Sequence, residues 1–488
     1  MSQPVPAAEP QLLEVPVSDG SMISVLRYPA ARSPAPAILS MTPYRKERNR
    51  ETGHWVNAAG YDYFLADVRG FGGSNASYHG LLSGREIQDG AELVEWIGRQ
   101  PFCTGQVGLM GGSYCGANQL LVAAKRPRAL RFITPSVAFM DTYRDCYRRG
   151  GIRSHIGWGA ATFLNSQHRE TERRGLSEYY LEIMDDPLDN PKHRARSPEY
   201  VLSNIEVPVM CMGGWHDYFL RSTVRAFRLL QGPKRLVIGA WGHSDHPGNH
   251  ADQLPWFAHW FDKKGADPTA GNRVRLFLTG AEEWRDFEDW FDTRRIPWRA
   301  WRPLARERDA RVVTDLRVVP GAPNPKKQFA YDAGSGMGQW GEDTTFDGEP
   351  FAEDVDLGGS VGLEAELTVF GCEDVELHAR LSVVRADGTV QQLTEGRLRA
   401  AHRAVDLERS ERGAGGQCIV PWHPHDRYEA LADGQRVTLN VEINPLYHRV
   451  FRGERLRLGL TLARADEGAV PARARLGPGT TVWLPWPA

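Results

Sequence analysis

The segment Gln106-Val-Gly-Leu-Met-Gly-Gly-Ser113-Tyr-Cys-Gly-Ala-Asn-Gln-Leu-Leu-Val-Ala-Ala-Lys125 sets one serine between an apolar run and a helical stretch. A serine on a strand-to-helix turn is pushed out at the carboxyl edge of a sheet. Small neighbours permit a strained backbone there, and the helix N-terminus offers N–H groups to a developing oxyanion. Gly111-Gly112-Ser113-Tyr114 fills the first four places of the pattern G-x-S-x-G, but Cys115 stands in the fifth and Gly116 comes one residue later. Taken alone, the segment also fits a glycine-rich turn whose serine only caps a helix.

Two further loops carry an acid and a histidine. Val207-Pro-Val-Met-Cys-Met212 runs into Gly-Gly-Trp-His-Asp217, and Lys234-Arg-Leu-Val-Ile-Gly239 runs into Ala-Trp-Gly-His243. The chain order Ser113, Asp217, His243 is the one that open α/β-hydrolase sheets use. A hydroxyl is a poor nucleophile at neutral pH; it needs an imidazole to take its proton and a carboxylate to hold that imidazole in one tautomer. Activity is therefore expected to fall in acid, as His243 protonates. Rival assignments exist. His243, His246 and His250 suggest a metal cluster, but Pro247 and Gly248 prevent the one-faced helix that such spacing needs, and no metal is expected. His216 adjoins Asp217, and neighbouring side chains on one loop tend to diverge, so it is expected to pack locally. Asp245 or Asp141 can stand in for Asp217.

The elements that would carry these loops are legible in the hydrophobic pattern. From about residue 12 to 293, short apolar runs alternate with helical stretches: Ala37 to Ser40, Tyr61 to Val68, Val107 to Met110, Phe132 to Pro135, Val207 to Met212 and Leu236 to Gly239. Near-continuous apolar strands belong to a sheet covered on both faces. Glu86 to Gln100 is the clearest helix between them. Residues 139–205 are crowded with Arg, Asp, Tyr and His and hold no convincing strand, which predicts a helical cap. Beyond 294 the period becomes two, as in Val375-Glu-Leu-His-Ala-Arg-Leu, Val437-Thr-Leu-Asn-Val-Glu-Ile and Leu456-Arg-Leu-Gly-Leu-Thr-Leu. With turns at Asp387-Gly388 and Asp433-Gly434, these strands predict an antiparallel β-sandwich. The Gly/Ser-rich stretch from Tyr331 to Gln339 reads as a loop. The expected layout is a core of 1–138 and 206–293, a cap of 139–205, and a β-sandwich of 294–488.

A set of motifs resembles the cocaine-esterase-like (CocE/NonD) hydrolases, relatives of Xaa-Pro dipeptidyl-peptidases and α-amino-acid ester hydrolases. They are Gly111-Gly-Ser-Tyr-Cys-Gly116, Thr42-Pro-Tyr-Arg-Lys46, Asp67-Val-Arg-Gly-Phe-Gly72, Asp89-Gly90 with Glu95-Trp96, Gln100-Pro-Phe, Gly214-Trp-His-Asp217 and Gly242-His243. Leu393-Thr-Glu-Gly-Arg-Leu-Arg399 and Val441-Glu-Ile-Asn-Pro445 are similar to the family's jelly-roll signatures. The resemblance implies an α/β-hydrolase core with a helical cap and a C-terminal all-β jelly roll. It implies Ser113 as nucleophile, Asp217 as orienting acid, His243 as general base, and an oxyanion hole from the Tyr114 amide and the Tyr44 phenol. It also marks Phe219 as a lining residue of the acyl pocket, with Trp158, Trp55, Trp215 and Trp241 as looser candidates. Asp67 and Arg69 are read as braces of a strand-end loop. In two places the sequence departs from the family pattern: the cap is short, and Leu377 to Val390 passes without the stretch Ser-x-x-x-Asp-Thr-Asp-Phe, which leaves the substrate class open.

Composition removes other partners. Lys plus Arg is 59 against 61 Asp plus Glu, for a formal charge of −2, so there is no electrostatic footprint for nucleic acid or an anionic membrane. No stretch approaches 18 consecutive apolar residues, and the start of the chain lacks the basic-then-apolar pattern of a leader. Six cysteines (103, 115, 146, 211, 372 and 418) lie apart without a C-x-x-C pair, which fits reduced thiols in a cytoplasm. The expected function is serine-dependent cleavage of a small-molecule carboxylic ester, without a cofactor. An amidase or peptidase with the same triad is the first alternative, and a binding protein on a dead hydrolase scaffold the second. Homo-oligomerisation is compatible with the sequence and not fixed by it.

Overall fold

The apolar runs assemble into one mixed sheet in a computed structural model that describes residues 9–48, 50–154, 186–243, 251–313, 344–466 and 471–486. Its strands are β1 (Gln11–Pro16), β2 (Met22–Tyr28), β3 (Ala35–Thr42), β4 (Asp62–Asp67), β5 (Cys103–Gly112), β6 (Leu130–Ser136), β7 (Val209–His216), β8 (Lys234–Gly242), β9 (Val274–Leu278) and β10 (Glu283–Phe287). The spatial order is β1-β2-β4-β3-β5-β6-β7-β8-β9-β10. All pairings from β4 to β9 are parallel, and β1, β2 and β10 are antiparallel additions at the two ends.

Helices cover both faces, as the continuous apolar strands require. They are α1 (Arg50–Ala58), α2 (Gly84–Gly98), α3 (Tyr114–Ala123), α4 (Leu220–Leu229) and α5 (Gln253–Asp262). Alternate strand residues serve the two layers. Leu39, Leu109, Ile133, Cys211 and Ile238 pack with α2, α3 and α4, whereas Ile38, Met110, Phe132, Met212 and Val237 pack with α1 and α5. All six expected core strands and the Glu86 helix are present, the helix starting two residues early behind a Ser83 N-cap that accepts from the Glu86 amide.

Between β6 and β7 the described residues carry a π-helical turn (Thr142–Tyr147), 3₁₀ turns (Arg149–Gly151, Pro198–Asn204) and one short helix (Pro191–Arg194), and no strand. Residues 155–185 of the expected cap, and the Tyr331–Gln339 loop, lie outside the described residues.

The C-terminal region is all-β. Its strands are β11 (Trp298–Trp301), β12 (Arg308–Val313), β13 (Thr344–Asp347), β14 (Val355–Phe370), β15 (Val375–Val384), β16 (Val390–Arg399), β17 (Glu411–Arg412), β18 (Cys418–Val420), β19 (Arg436–Val450), β20 (Arg455–Arg464), β21 (Arg473–Leu476) and β22 (Thr481–Pro485). The main path runs β11-β22-β14-β19-β16-β15-β20-β12-β21, and β21 also pairs with β14, so the sheet closes around one apolar core. Asp387-Gly388 turns β15 into β16 with Gly388 at φ +85°, while Asp387 Oδ1 accepts from the Thr389 amide at 2.8 Å.

The two sheets are joined by main chain. Thr279, just past β9, donates to the Tyr447 carbonyl (3.1 Å) and accepts from the Arg449 amide (2.9 Å), a parallel bridge onto His448. A second joint forms where Gly150 and Gly151 pack on β16 and on His402. A Cβ at Gly150 would lie 2.2 Å from the Arg397 carbonyl oxygen, so no larger residue fits. Beside it the guanidinium groups of Arg144, Arg225 and Arg409 surround the buried Trp422 ring at 4.4, 4.2 and 3.8 Å from its centroid.

Candidate active site

Ser113 follows β5 directly and precedes α3, with φ 57° and ψ −121°. A non-glycine residue in this region costs on the order of 1–3 kcal/mol and persists only where its surroundings over-determine it. The Ser113 amide donates to the Ser136 carbonyl at 2.9 Å, and the glycines around it permit close approach. A Cβ at Gly111 would meet Cys115 Cβ at 2.6 Å; one at Gly116 would meet Ala138 Cβ at 2.8 Å and the Ser136 carbonyl oxygen at 3.0 Å. The shifted motif is thereby explained: the contact that demands glycine falls on residue 116, and Cys115 turns inward under Gly111.

Asp217 begins the loop after β7 and His243 the loop after β8, strands that are parallel neighbours. His243 Nδ1 lies 2.8 Å from Asp217 Oδ1. A carboxylate only accepts, so Nδ1 carries the proton and Nε2 presents its lone pair. The Asp217 side chain is fully buried, and its Oδ2 has no hydrogen-bond partner among the described residues. All of its orienting capacity is directed at the imidazole. Tyr218 stacks on the His243 ring at 4.2 Å between centroids, and Phe219 meets it edge-on at 5.4 Å.

Tyr44 joins the serine to this group. Its phenol hydrogen-bonds the Ser113 side chain and the Tyr114 main chain, and burial pushes its pKa well above the usual value, which keeps it a neutral donor. The buried Tyr218 phenol, stacked on His243, feels both Asp217 and Tyr44 electrostatically, which sets the Ser113–Tyr44 pair in the neighbourhood of the His243–Asp217 pair. The Tyr44 amide donates to Thr42 Oγ1 at 2.9 Å. Two residues on, Asp67 accepts from the Lys46 amide (2.8 Å) and Nζ (2.7 Å), and Arg69 forms a two-point pair with Asp89 at 2.6 and 2.9 Å. Asp67 and Arg69 thus tie down the strand-end loop.

Tyr114, the first residue of α3, is held from behind by Glu86, which has no sequence signal beyond its place on α2. Glu86 accepts from the Tyr114 hydroxyl (2.5 Å), Asn118 Nδ2 (3.1 Å) and the Leu82 amide (3.1 Å). Burial raises its pKa to about 7. The nearby thiols are no rival nucleophiles: burial drives Cys115 up to about 12 and Cys146 well above its ordinary value.

Other sequence candidates fall elsewhere. Trp55 packs on Phe257 (6.1 Å) and Trp241 on Trp284 (6.0 Å), both half-buried against the α1/α5 layer. Trp215 is buried with its indole N–H donated to the Phe277 carbonyl at 2.7 Å. Phe219 is buried between Phe139 and His243. Trp158, Asp245, His246 and His250 lie outside the described residues. Among the described residues no group of three or more His, Cys, Asp or Glu could hold a metal ion. Asp141 is committed to Arg144, accepting from its amide at 2.9 Å and its Nη1 at 2.7 Å.

The family model for X-Pro dipeptidyl-peptidases (S15 family) matches residues 21–245, which contain Ser113, Asp217 and His243. The model for the X-Pro dipeptidyl-peptidase C-terminal non-catalytic domain matches residues 258–463. Cocaine esterase from Rhodococcus sp. (strain MB1 Bresler) is 28% identical over 340 residues, covering 57% of this chain and 59% of that enzyme. The chain thus spans about three fifths of the length of that relative. A CocE/NonD family hydrolase from Staphylococcus aureus shares the fold with TM-score 0.79 at 17% identity, over 98% of this chain and 93% of the other. An α-amino acid ester hydrolase does so with TM-score 0.77 at 17% identity, over 99% and 98%. At that identity the likeness speaks to the fold alone. The tandem matches along one chain, the serine turn and the acid–histidine pair agree, and the chain belongs to the X-Pro dipeptidyl-peptidase-like (CocE/NonD) family of serine hydrolases.

Proposed function

We propose that the chain is a carboxylesterase working through a Ser113–His243–Asp217 acyl-enzyme mechanism. The reading rests on the 2.8 Å Asp217–His243 contact at adjacent strand ends, and is supported by the strained Ser113 at the end of β5, hydrogen-bonded to Tyr44. Ser113 Oγ attacks the ester carbonyl as His243 Nε2 takes its proton, and Asp217 steadies the imidazolium. The Tyr44 hydroxyl and Tyr114 amide form the oxyanion hole; one such donor is worth about 3–4 kcal/mol of barrier. His243 then returns the proton to the departing alcohol, and water repeats the attack on the acyl-enzyme. Phe219 lines the acyl side.

An amide or peptide substrate is the second reading, favoured by the X-Pro dipeptidyl-peptidase models that match both halves of the chain. A panel of nitrophenyl acyl esters, α-amino-acid esters and Xaa-Pro anilides separates the two; turnover of the anilides above the esters reverses the assignment. Stoichiometric fluorophosphonate labelling, lost in Ser113→Ala together with turnover, is expected of either substrate. Full activity in Ser113→Ala would sink the serine mechanism.

The layout that accompanies this reading is a hydrolase core of 1–138 and 206–293, a cap of 139–205 and a jelly roll of 294–488. A cytoplasmic setting fits the cysteines, which are unpaired. No helix among the described residues is long and apolar enough to cross a membrane.

A further inference from the structure

Where the residues after β6, the start of α4 and the C-terminal sheet meet, a cavity of about 30 Å³ is lined by five guanidinium groups, those of Arg144, Arg149, Arg221, Arg225 and Arg397. That is room for one or two water-sized species. Four of these groups have a carboxylate close by: Arg144 on Asp141 (2.7 Å), Arg221 on Asp145 (2.7 Å) and on Glu442, Arg225 on Glu199 (3.0 Å) and Arg397 on Glu395 (3.2 Å).

Arg149 is served differently. It is 5% exposed, and its Nη2 donates to a neutral acceptor, Asn444 Oδ1, at 2.6 Å. The carboxylate within ion-pair range, Glu395, stands 3.7 Å from Nη1 and closer, at 3.2 Å, to Arg397. Nη1 has no hydrogen-bond partner among the described residues, and neither has Arg221 Nε. Burial first, then the charges of Arg397 and Arg221, pull the Arg149 pKa down to about 9. A buried charged donor left unmade carries a large desolvation penalty, and water would satisfy the N–H without offsetting the charge. A small anion does both.

We propose that this cavity binds a halide-sized monovalent anion, chloride in ordinary media, with Arg149 as its principal donor. A carboxylate with its carbon chain exceeds the space; the carboxylates that also line it, Asp141, Asp145, Glu199 and Glu442, are engaged by Arg144, Arg221 and Arg225, which leaves Arg149 as the donor without a carboxylate of its own. The anion would sit between Arg149 at the base of the cap, Arg221 on the first turn of α4 and Arg397 on β16, and so fasten three parts of the chain at one point. This inference does not depend on the esterase reading.

The test uses the full chain crystallised in sodium bromide, with data collected at the bromine edge. An anomalous peak in this cavity within hydrogen-bond reach of Arg149 is expected; bromide confined to the surface, or water alone in the cavity, overturns the proposal. In solution, replacing gluconate by chloride at constant ionic strength should raise the melting temperature by a few degrees and saturate, as linkage to a single site requires. Arg149→Met should abolish that dependence. An equal chloride response in the variant refutes the site, as does a response to formate with no bromide peak. If Arg149→Met fails to fold, the bromide peak in the unaltered protein decides.

Discussion

At the residue scale the proposed mechanism separates groups that react from groups that hold them. Tyr44→Phe removes the proposed oxyanion donor without changing shape, so kcat is expected to fall about 10²–10³-fold with KM little altered, measured on a nitrophenyl ester. Asp217→Asn leaves the ring in place but favours the wrong tautomer, and about 10⁴-fold in kcat should go. Glu86 makes a prediction of a different kind. The unfolded chain releases this proton above the ordinary value of 4.5, whereas the buried group keeps it to about 7. Its contribution to stability is therefore fully present below 4.5 and is lost as pH rises to about 7, at ~1.4 kcal/mol per pH unit. Urea unfolding of Glu86→Gln should lack that loss, with its midpoint at pH 8 gaining on the unaltered protein relative to pH 5. The strand-end placement of Ser113, Asp217 and His243 is legible in the sequence because each follows an apolar run directly. Tyr218, stacked on His243, and Glu86, behind Tyr114, are not: their roles arise from contacts between segments that no spacing rule connects.

At the element scale, legibility tracked burial. Strands buried on both faces, such as β4, every residue of which is buried, announce themselves as apolar runs. β1 and β10, at the sheet ends with mostly exposed or half-buried residues, do not. β14 escaped for another reason: Gly358 and Gly359 interrupt its alternation, and the register shifts between Gly359 and Val361. The turn from β5 into α3 was recognised despite its displaced glycine. Gly116→Ala tests why that glycine is there. The added methyl meets Ala138 and the Ser136 carbonyl, so a stability loss of about 1–3 kcal/mol in denaturant melts is expected, together with slower fluorophosphonate labelling as Ser113 is displaced.

At the scale of the whole molecule, the joints between regions hold buried histidines that burial keeps neutral. His402 is lowered to about 4, His193 and His423 are lowered, and His425 falls well below its ordinary 6.5; His448, in the main-chain bridge, is lowered to about 4. The unfolded chain protonates these groups below 6.5 and the folded chain resists, so their stability is present above 6.5 and is lost as pH falls towards 4. The buried carboxyls of Glu86 and Glu199, raised by burial, oppose them in part, but the five histidines are more numerous and acid should unfold the protein over that window. His402→Gln should reduce the slope of midpoint against pH by about one proton. Trp422→Ala, which empties the space among three guanidinium groups, should cost about 3–5 kcal/mol. The bridge at Thr279 carries the remaining consequence. Peptide groups span it together with the Thr279 hydroxyl, which donates to the Tyr447 carbonyl (2.9 Å) and lies 2.8 Å from His448 Nδ1, so removing that hydroxyl leaves two main-chain bonds across the joint. A gene shortened after residue 293 would expose Thr279 as raw strand edge, yielding an aggregating fragment instead of a smaller working hydrolase.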